Sequence, residues 1–138
     1  MGAKTISQAR GQAESLARRA MTGNRTHKRR YQGRAAKIGD AIYRKFDVGP
    51  TKWRAKHILW FFREYLPNQR QAKPPTQYEY WLACRAVLEG LGRYDQLEPL
   101  IRGPWMTPTG EMPKDSGKGR RQMLKRQQVQ DENHTQPT

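Results

Sequence analysis

The chain has few of the residues that disulfides and metal sites require. Its 138 residues include one cysteine, Cys84, and three histidines. A single cysteine excludes an intramolecular disulfide and is typical of a reducing compartment. His27, His57 and His134 lie far apart and have no cysteine or carboxylate at ligand spacing, so we expect neither a metal site nor another cofactor.

Acidic residues are also scarce, with 12 Asp and Glu against 27 Lys and Arg and a formal net charge of +15. The few carboxylates are scattered, which argues against paired-carboxylate catalysis and against a two-metal nuclease. The segment Asp115-Ser116-Gly117-Lys118 lacks the second glycine of a phosphate-binding loop. Cys84 lies on the apolar face of a predicted helix, as a small core residue would. We therefore predict that the protein is not an enzyme.

Long apolar runs are missing as well. Hydrophobic residues make up 35% of the chain, and the best apolar run, Ile58 to Phe62, is five residues long. A membrane-spanning helix needs about 20 such residues. The N-terminal segment lacks the apolar region of a secretory signal. We expect no membrane partner and a cytoplasmic location, associated with the nucleoid if the host is bacterial.

The apolar residues that are present follow the helical period, which predicts an all-α fold. Ser7 is placed to cap a first helix that runs to about Met21. Its inner positions are mostly alanine, so we expect it to bury little surface and to be ordered only when docked or bound. Thr26 is placed to cap a second helix from His27 to Phe46. Its apolar stripe consists of Tyr31, Ala35, Ile38, Ile42 and Phe46.

Three further helices follow the second one. The third begins at Lys52 or Lys56 and is expected to end at Leu66, because Pro67 cannot continue an α-helix. Thr76 and Glu79 fit a capping box at the start of the fourth, which Gly90 and Gly92 close. A short fifth helix spans Tyr94 to Ile101. The predicted fold is a small bundle of four to five helices over residues 24–103. Residues 1–23 form a basic arm or helix, and residues 104–138 a disordered polar and basic tail.

The second helix opens in the most basic run of the chain, residues 25–37, which contains no acid. On a helical projection Arg30, Arg34, Lys37 and Arg44 form a ridge opposite the apolar stripe, with Arg29 close to it and Asp40 as its only acid. Like charges at this spacing repel one another, which favours an anionic partner such as nucleic-acid phosphates. A solvated charged face and a cationic membrane-surface helix are the alternatives.

Other parts of the chain supply further candidate contacts. Lys52, Arg54 and Lys56 stand at the expected start of the third helix, where backbone amides favour phosphate; a flexible loop with Trp53 in the core explains the segment equally well. On the fourth helix Tyr78 and Tyr80 are placed to touch a sugar or base, although aromatics at helical spacing are more often core residues. The basic residues of the tail either follow a second stretch of backbone or keep the tail soluble.

Three segments of the chain form a further pattern: RTHKRRYQGRAAKIGDAIYRKFDV, KWRAKHILWFFREYL and PPTQYEYWLACRAVLEGLGR. Through these segments, residues 25–101 resemble the N-terminal core-binding domain of tyrosine recombinases and phage-type integrases. It implies a helical bundle that clamps one face of duplex DNA. The positions that match the family's DNA-contacting helices are Lys28, Arg29, Arg30, Arg34, Lys37, Lys56, His57, Tyr78 and Arg85. The family's catalytic domain has no counterpart in this chain, in which no tyrosine follows Tyr94.

Taken together, these patterns predict a non-catalytic, duplex-DNA-binding protein, with residues 24–103 as its DNA-binding domain. Its expected role is that of an accessory or regulatory factor in the processing, transfer or recombination of plasmid or mobile-element DNA. An RNA-binding component and an adaptor for an acidic protein, such as a larger recombination or transfer protein, remain alternatives. The predicted DNA contacts are Arg25, Lys28, Arg29, Arg30, Arg34, Lys37, Lys52, Arg54, Lys56, Tyr78 and Arg85. The predicted secondary phosphate contacts are Arg18, Arg19, Lys118, Arg120 and Arg121.

Overall fold

The computed structural model describes residues 3–21 and 25–114, and within them the chain forms five α-helices and no β-strand. The helices are α1 (Ile6–Ala20), α2 (Arg25–Phe46), α3 (Ala55–Trp60), α4 (Pro74–Gly90) and α5 (Tyr94–Leu97). A π-helix, Phe61–Gln69, continues α3, and short 3₁₀ turns occupy Pro50–Lys52, Glu98–Leu100 and Pro104–Met106. The prediction of a small all-α bundle is confirmed.

The first helix packs into the bundle through its alanines. Ala9, Ala13 and Ala17 are fully buried. A Cβ atom added to Gly39 of α2 would lie 2.9 Å from the carbonyl oxygen of Ala9, so the two backbones nearly touch. The prediction that this stripe buries little was wrong, because small residues on one helix meet a glycine on the other. The cap prediction was also wrong, since Thr5 accepts the hydrogen bond from the Gln8 amide.

The same helix also crosses the end of α4. A Cβ atom on Gly90 would lie 2.2 Å from the carbonyl oxygen of Leu16, so only glycine fits at this position. Helix α1 therefore contacts both α2 and α4. It is part of the bundle and orients the cations that it carries relative to α2.

The third helix runs past the proline that was expected to stop it. Pro67 lies inside the π-helix, in which the Arg70 amide donates to the Tyr65 carbonyl at 3.1 Å. An α-helix would bring the proline ring against the carbonyl four residues earlier, whereas π-helical bonds span five residues and widen the turn. The prediction of an end at Leu66 was therefore wrong, and the extension places Arg70 beside α2.

The fourth helix begins before its predicted cap. Pro74 occupies the first turn after Lys73, and no side chain caps this end. Thr76 is thus already helical, and Glu79 pairs with arginines of α2 instead of completing a capping box. The predicted end is confirmed, because α4 finishes at Gly90 and Gly92 adopts a φ of 71°.

The core lies between α2, the α3–π-helix segment and α4. Ile38, Ile42, Phe61, Phe62 and Leu88 are among its buried side chains. None of the described helices combines the length and apolar character that a membrane span requires.

Ordered structure continues beyond the predicted start of the tail. The Trp105 side chain is 3% exposed and stacks on Phe62, with ring centroids 5.4 Å apart. Arg102 donates to the carbonyl of Pro113 at 3.4 Å, which holds the following segment against the bundle. A disordered tail from residue 104 was therefore a wrong prediction for residues 104–114. Residues 115–138 lie outside the described part of the chain.

Candidate nucleic-acid interface

One face of α2 carries exposed cations along most of the helix. Arg29, Arg30, Lys37 and Arg44 are exposed, whereas the core positions of the same helix are buried. We call these four residues the α2 basic surface. The predicted ridge of the second helix therefore points to solvent, with the exception of Arg34.

Arg34 lies at the edge of α2 that packs on α4. Its guanidinium pairs with the Glu79 carboxylate, and its side chain is only 22% exposed. The guanidinium also lies 6.0 and 5.9 Å from the ring centroids of Tyr31 and Tyr80. Arg30 approaches the same carboxylate at 3.6 Å. Arg34 thus links two helices of the bundle, and Glu79 offsets part of the positive charge at this edge.

The opposite edge of α2 contacts α1 through Asp40. The Asp40 carboxylate pairs with Arg10 of α1 at 2.8 Å and with Arg44 at 2.5 Å. Burial raises the pKa of Asp40, but the hydrogen bonds from Arg44 and Arg10 lower it by more, so the pKa lies below its ordinary value. Asp40 therefore stays ionised. It also holds Arg10 beside the α2 basic surface, which sequence spacing did not indicate.

Two cations of the α2 basic surface have no acidic partner among the described residues. Arg29 and Lys37 are exposed, and neither forms an ion pair within the described residues. A cleft of about 200 Å³ beside Lys37 brings in Arg70 from the end of the π-helix, together with Tyr65 and Asp40. Arg70 was also missed, because the sequence predicted a loop there. Arg10 and Arg70 line the same cleft and thus add positive charge beside Lys37.

The start of α3 presents cations around a buried histidine. Lys52, Arg54 and Lys56 are exposed, but the His57 side chain is only 4% exposed. The Arg54 amide donates to His57 Nδ1 at 3.0 Å. Burial, assisted by Lys56 and Arg54, lowers the pKa of His57, which favours the neutral ring. His57 is thus part of the fold and does not reach the surface.

Trp53, in the same segment, is fully buried, and Arg93 donates to its carbonyl oxygen at 2.8 Å. The alternative in which Trp53 belongs to the core is therefore confirmed. Its burial anchors the chain between α2 and α3 and leaves Lys52 and Arg54 exposed on either side.

The two candidates on α4 lie away from the α2 basic surface. Arg85 pairs with Glu89 at 3.2 Å and stands over the Tyr94 ring at 4.7 Å from its centroid. Six helical positions separate Arg85 from Glu79, which corresponds to about 120° around the helix axis. Tyr78 is half-buried against the core. The structure therefore does not bring these residues next to Arg29 or Lys37.

The remaining candidates are dispersed. Lys28 is half-buried, Arg18 and Arg19 are exposed on α1, and Arg19 faces Thr51 on the flank of α1 away from Asp40. Arg25 begins α2. Lys118, Arg120 and Arg121 lie outside the described residues.

Chemistry other than charge is limited in the described residues. They contain no group of three or more His, Cys, Asp or Glu side chains placed to hold a metal ion. Cys84 is buried, and desolvation raises the pKa of its thiol, so the reactive thiolate is disfavoured.

Comparison of the chain with protein families, with curated proteins and with solved structures finds no match. The function is therefore inferred from the charges and contacts of the surface residues themselves.

Proposed function

We propose that the protein binds nucleic acid without catalysis and that the α2 basic surface contacts the phosphate backbone of duplex DNA. One observation carries the proposal. Asp40 and Glu79, the acids at the two edges of α2, each already approach two arginines, while Arg29 and Lys37 have no acidic partner among the described residues. A phosphate backbone would supply the missing negative charge.

The geometry of α2 suits this partner. A straight helix of 22 residues is about 33 Å long, and its cations follow one face over most of that length. Each strand of a duplex carries one phosphate for about every 3.4 Å of helix axis, so several cations on such a face are able to approach phosphates together. Arg10 and Arg70 widen the contact, whereas Arg34 is excluded from it because it is held by Glu79.

Duplex DNA is preferred over RNA on the basis of the resemblance of residues 25–101 to the core-binding domain of tyrosine recombinases. The resemblance favours an accessory or regulatory factor in plasmid or mobile-element processing, transfer or recombination. A larger recombination or transfer protein is then the natural protein partner.

A fluorescence-anisotropy titration across a salt series tests the proposal. The probes are a short duplex DNA, the corresponding single strand and an RNA hairpin. The test variant is Arg29/Lys37→Ala, and the matched control is Arg63/Lys114→Ala, which removes two exposed cations elsewhere. We expect the test variant to reduce the slope of log K against log salt by about 2, since each phosphate contact accounts for about 1. The control is expected to change it little.

Three outcomes would contradict the proposal. Equal losses in the test and control variants would mean that binding follows net charge and not this surface. A preference for the RNA hairpin at equal salt would favour an RNA-binding component. Weak binding to all three probes at physiological salt, with tight binding to an acidic protein, would favour an adaptor. Circular dichroism of each variant confirms that the helices are retained.

A further inference from the structure

The N-terminus of α4 has a backbone donor without a partner. No side chain of the described chain caps this 17-residue helix, and its first turn contains no acidic residue. Pro74 and Pro75 have no amide hydrogen, and the Gln77 amide donates to the Lys73 carbonyl at 2.9 Å. The Thr76 amide donates to no described residue. One amide hydrogen is therefore left at the positive end of the helix dipole.

A cleft of about 520 Å³ lies between this end of α4 and the end of the π-helix, and we call it the α4 cleft. It is lined by two cations, Arg70 and Lys73, and by no acidic residue of the described chain. Neither cation forms an ion pair with another described residue. The loop between them is held at Ala72, whose amide donates to the Leu66 carbonyl at 2.9 Å and whose carbonyl accepts from Gln77 Nε2 at 2.8 Å. The backbone that carries the two cations is therefore fixed beside the helix end.

Tyr80 adds a hydroxyl to the same cleft. The residue is only 7% exposed. Its contacts with Phe61 and Arg34 are made by the ring, and the hydroxyl forms no hydrogen bond with a described residue. Helical side chains tilt toward the N-terminus of their helix, so Tyr80 leans toward Thr76, one turn earlier on the same face. Since a largely buried polar group usually has a hydrogen-bond partner, the hydroxyl favours a ligand that accepts one.

The groups around the α4 cleft match the requirements of a phosphate group. Thr76 offers its amide and its exposed hydroxyl, Tyr80 offers a second hydroxyl, and the two cations add positive charge. Gln69 and Gln71 also line the cleft, and their side-chain amides contain donors as well as an acceptor. Phosphate oxygens accept hydrogen bonds from groups of these kinds, and helix N-termini bind phosphate because the amide and the dipole both favour an anion.

We propose that the α4 cleft binds one phosphate group of the DNA that lies on the α2 basic surface. The inference rests on the proposed function, which supplies that DNA. Arg70 and Tyr80 line both the α4 cleft and the cleft beside Lys37, so the two clefts adjoin and one backbone is able to follow both. Phosphate contacts fix the register and orientation of a protein on a duplex. The fixed end of α4 therefore orients the DNA on the bundle, while the α2 basic surface supplies most of the charge.

Two substitutions in the α4 cleft test the site by anisotropy on a short duplex across a salt series. Tyr80→Phe removes the hydroxyl and keeps the ring, and it should weaken binding about tenfold without a change in salt slope, as the loss of a hydrogen bond to a charged group implies. Thr76→Asp places a carboxylate where the phosphate binds. It should weaken binding about tenfold or more and reduce the slope of log K against log salt by about 1.

Tyr94→Phe and Gln96→Asp are the matched controls. Tyr94 is a half-buried tyrosine beyond the other end of α4, and Gln96 is an exposed residue at the third position of α5, as Thr76 is of α4. Both should keep duplex affinity within about twofold, because salt screens a charge that does not lie at the bound DNA. Circular dichroism checks the fold. Thr76→Asp is expected to retain it, since an acid in the first turn favours the helix, and this variant decides if Tyr80→Phe does not fold.

Calorimetric titration with inorganic phosphate separates the possible sources of the phosphate group. Wild-type duplex affinity in either folded test variant overturns the site as a DNA contact, and phosphate binding that only Thr76→Asp abolishes then assigns the cleft to a free phosphate. Equal losses in test and control variants overturn the site and leave the proposed function, which depends on Arg29 and Lys37, intact. Wild-type protein that binds no duplex overturns the proposed function, and the lack of phosphate binding as well overturns the cleft as a phosphate site.

Discussion

The two edges of α2 and the outer face between them use the same residue types in different ways. At the edge toward α4, Glu79 holds Arg34 and approaches Arg30; at the edge toward α1, Asp40 holds Arg10 and Arg44. On the outer face, Arg29 and Lys37 have no acidic partner among the described residues. The edges are therefore built to join helices, and the outer face is left with charge that nothing in the described bundle offsets.

This contrast separates two roles that look identical in the sequence. Arg30 and Arg34 are one helical turn apart and belong to the same basic run, yet Arg34 is mostly buried and Arg30 is exposed. The number of cations along a helix thus gives its total positive charge, but it does not tell which cations are free to bind a ligand. The positions of the acids, Glu79 on α4 and Asp40 on α2 itself, decide which cations remain available to a ligand.

The largest effect is expected from two glycines of α2, one of which faces α1 and the other solvent. Gly39→Ala should destabilise the protein by about 1–3 kcal/mol, because the new methyl group would meet the Ala9 carbonyl at 2.9 Å and α1 would have to shift. Gly33→Ala should stabilise it by about 0.5–1 kcal/mol, since a Cβ there meets nothing within 4 Å and alanine favours the helix. Urea denaturation followed by circular dichroism measures both.

Gly33→Ala is the matched control, because both changes add one methyl group to the same helix. Equal effects of the two substitutions would show that α1 does not pack closely on α2. In that case Arg10 would not be fixed beside the α2 basic surface either.

The second prediction compares arginines at an edge and on the outer face. Arg34→Ala should cost about 1–2 kcal/mol of stability, since it removes a partly buried ion pair and leaves Glu79 with only the more distant Arg30. Arg29→Ala should change stability by less than about 0.5 kcal/mol, as exposed substitutions usually do, while it weakens DNA binding. Urea denaturation and anisotropy on the same two proteins give the comparison. A larger loss of stability in Arg29→Ala than in Arg34→Ala would contradict the assignment.

The elements of this fold that depend on local pattern were predictable from the sequence. The 3.6-residue apolar period of α2 identified its outer face and its end at Phe46, and Gly90 and Gly92 identified the end of α4. The predicted start of α2 was wrong, because the helix begins at Arg25 and Thr26, the predicted cap, lies inside it. Contacts between distant segments were not predictable in the same way. Arg10 reaches Asp40 across 30 residues, and Arg34 reaches Glu79 across 45.

Two local rules also failed for reasons that lie outside the local sequence. Alanine buries little surface by itself, so the packing of α1 could be recognised only together with Gly39 and Gly90. Pro67 normally ends a helix, but the π-helical turn accommodates it. Because that turn also determines the position of Arg70, the contribution of Arg70 to the candidate surface could not be derived from spacing alone.

The third prediction concerns the acid at the α1 edge. Asp40→Asn should increase the affinity for duplex DNA and steepen the salt dependence by up to about 2, because Arg10 and Arg44 would lose their anionic partner and become available to phosphates. Anisotropy across a salt series measures both quantities. Glu64→Gln, which removes an exposed acid from the π-helix, is the charge-matched control. An equal gain in the control would mean that only net charge matters.

The smallest expected effect is a pH dependence of stability that comes from His57 at the start of α3. Cations close to His57 disfavour its ionised form, whereas cations close to Asp40 favour the ionised form of that residue. Arg10 and Arg44 favour the ionised form of Asp40, whereas burial, with Lys56 and Arg54, disfavours the ionised form of His57 and lowers its pKa. The unfolded chain, with a histidine pKa of about 6.5, then binds a proton that the folded chain does not. The contribution of neutral His57 to stability is therefore fully present above about pH 6.5 and is lost as the pH falls from there through the lower folded pKa.

Urea denaturation of wild-type protein and His57→Gln between about pH 7.5 and pH 5 tests this sign, since histidine titrates within that interval. Glutamine retains an oxygen that accepts the Arg54 amide but does not titrate, so the variant should lose less stability than the wild type as the pH falls. Parallel profiles would mean that His57 becomes protonated as readily in the folded chain as in the unfolded one. The His57 ring would then be more exposed to solvent than the structure places it, because burial is the main cause of its lowered pKa and Lys56 and Arg54 only add to it.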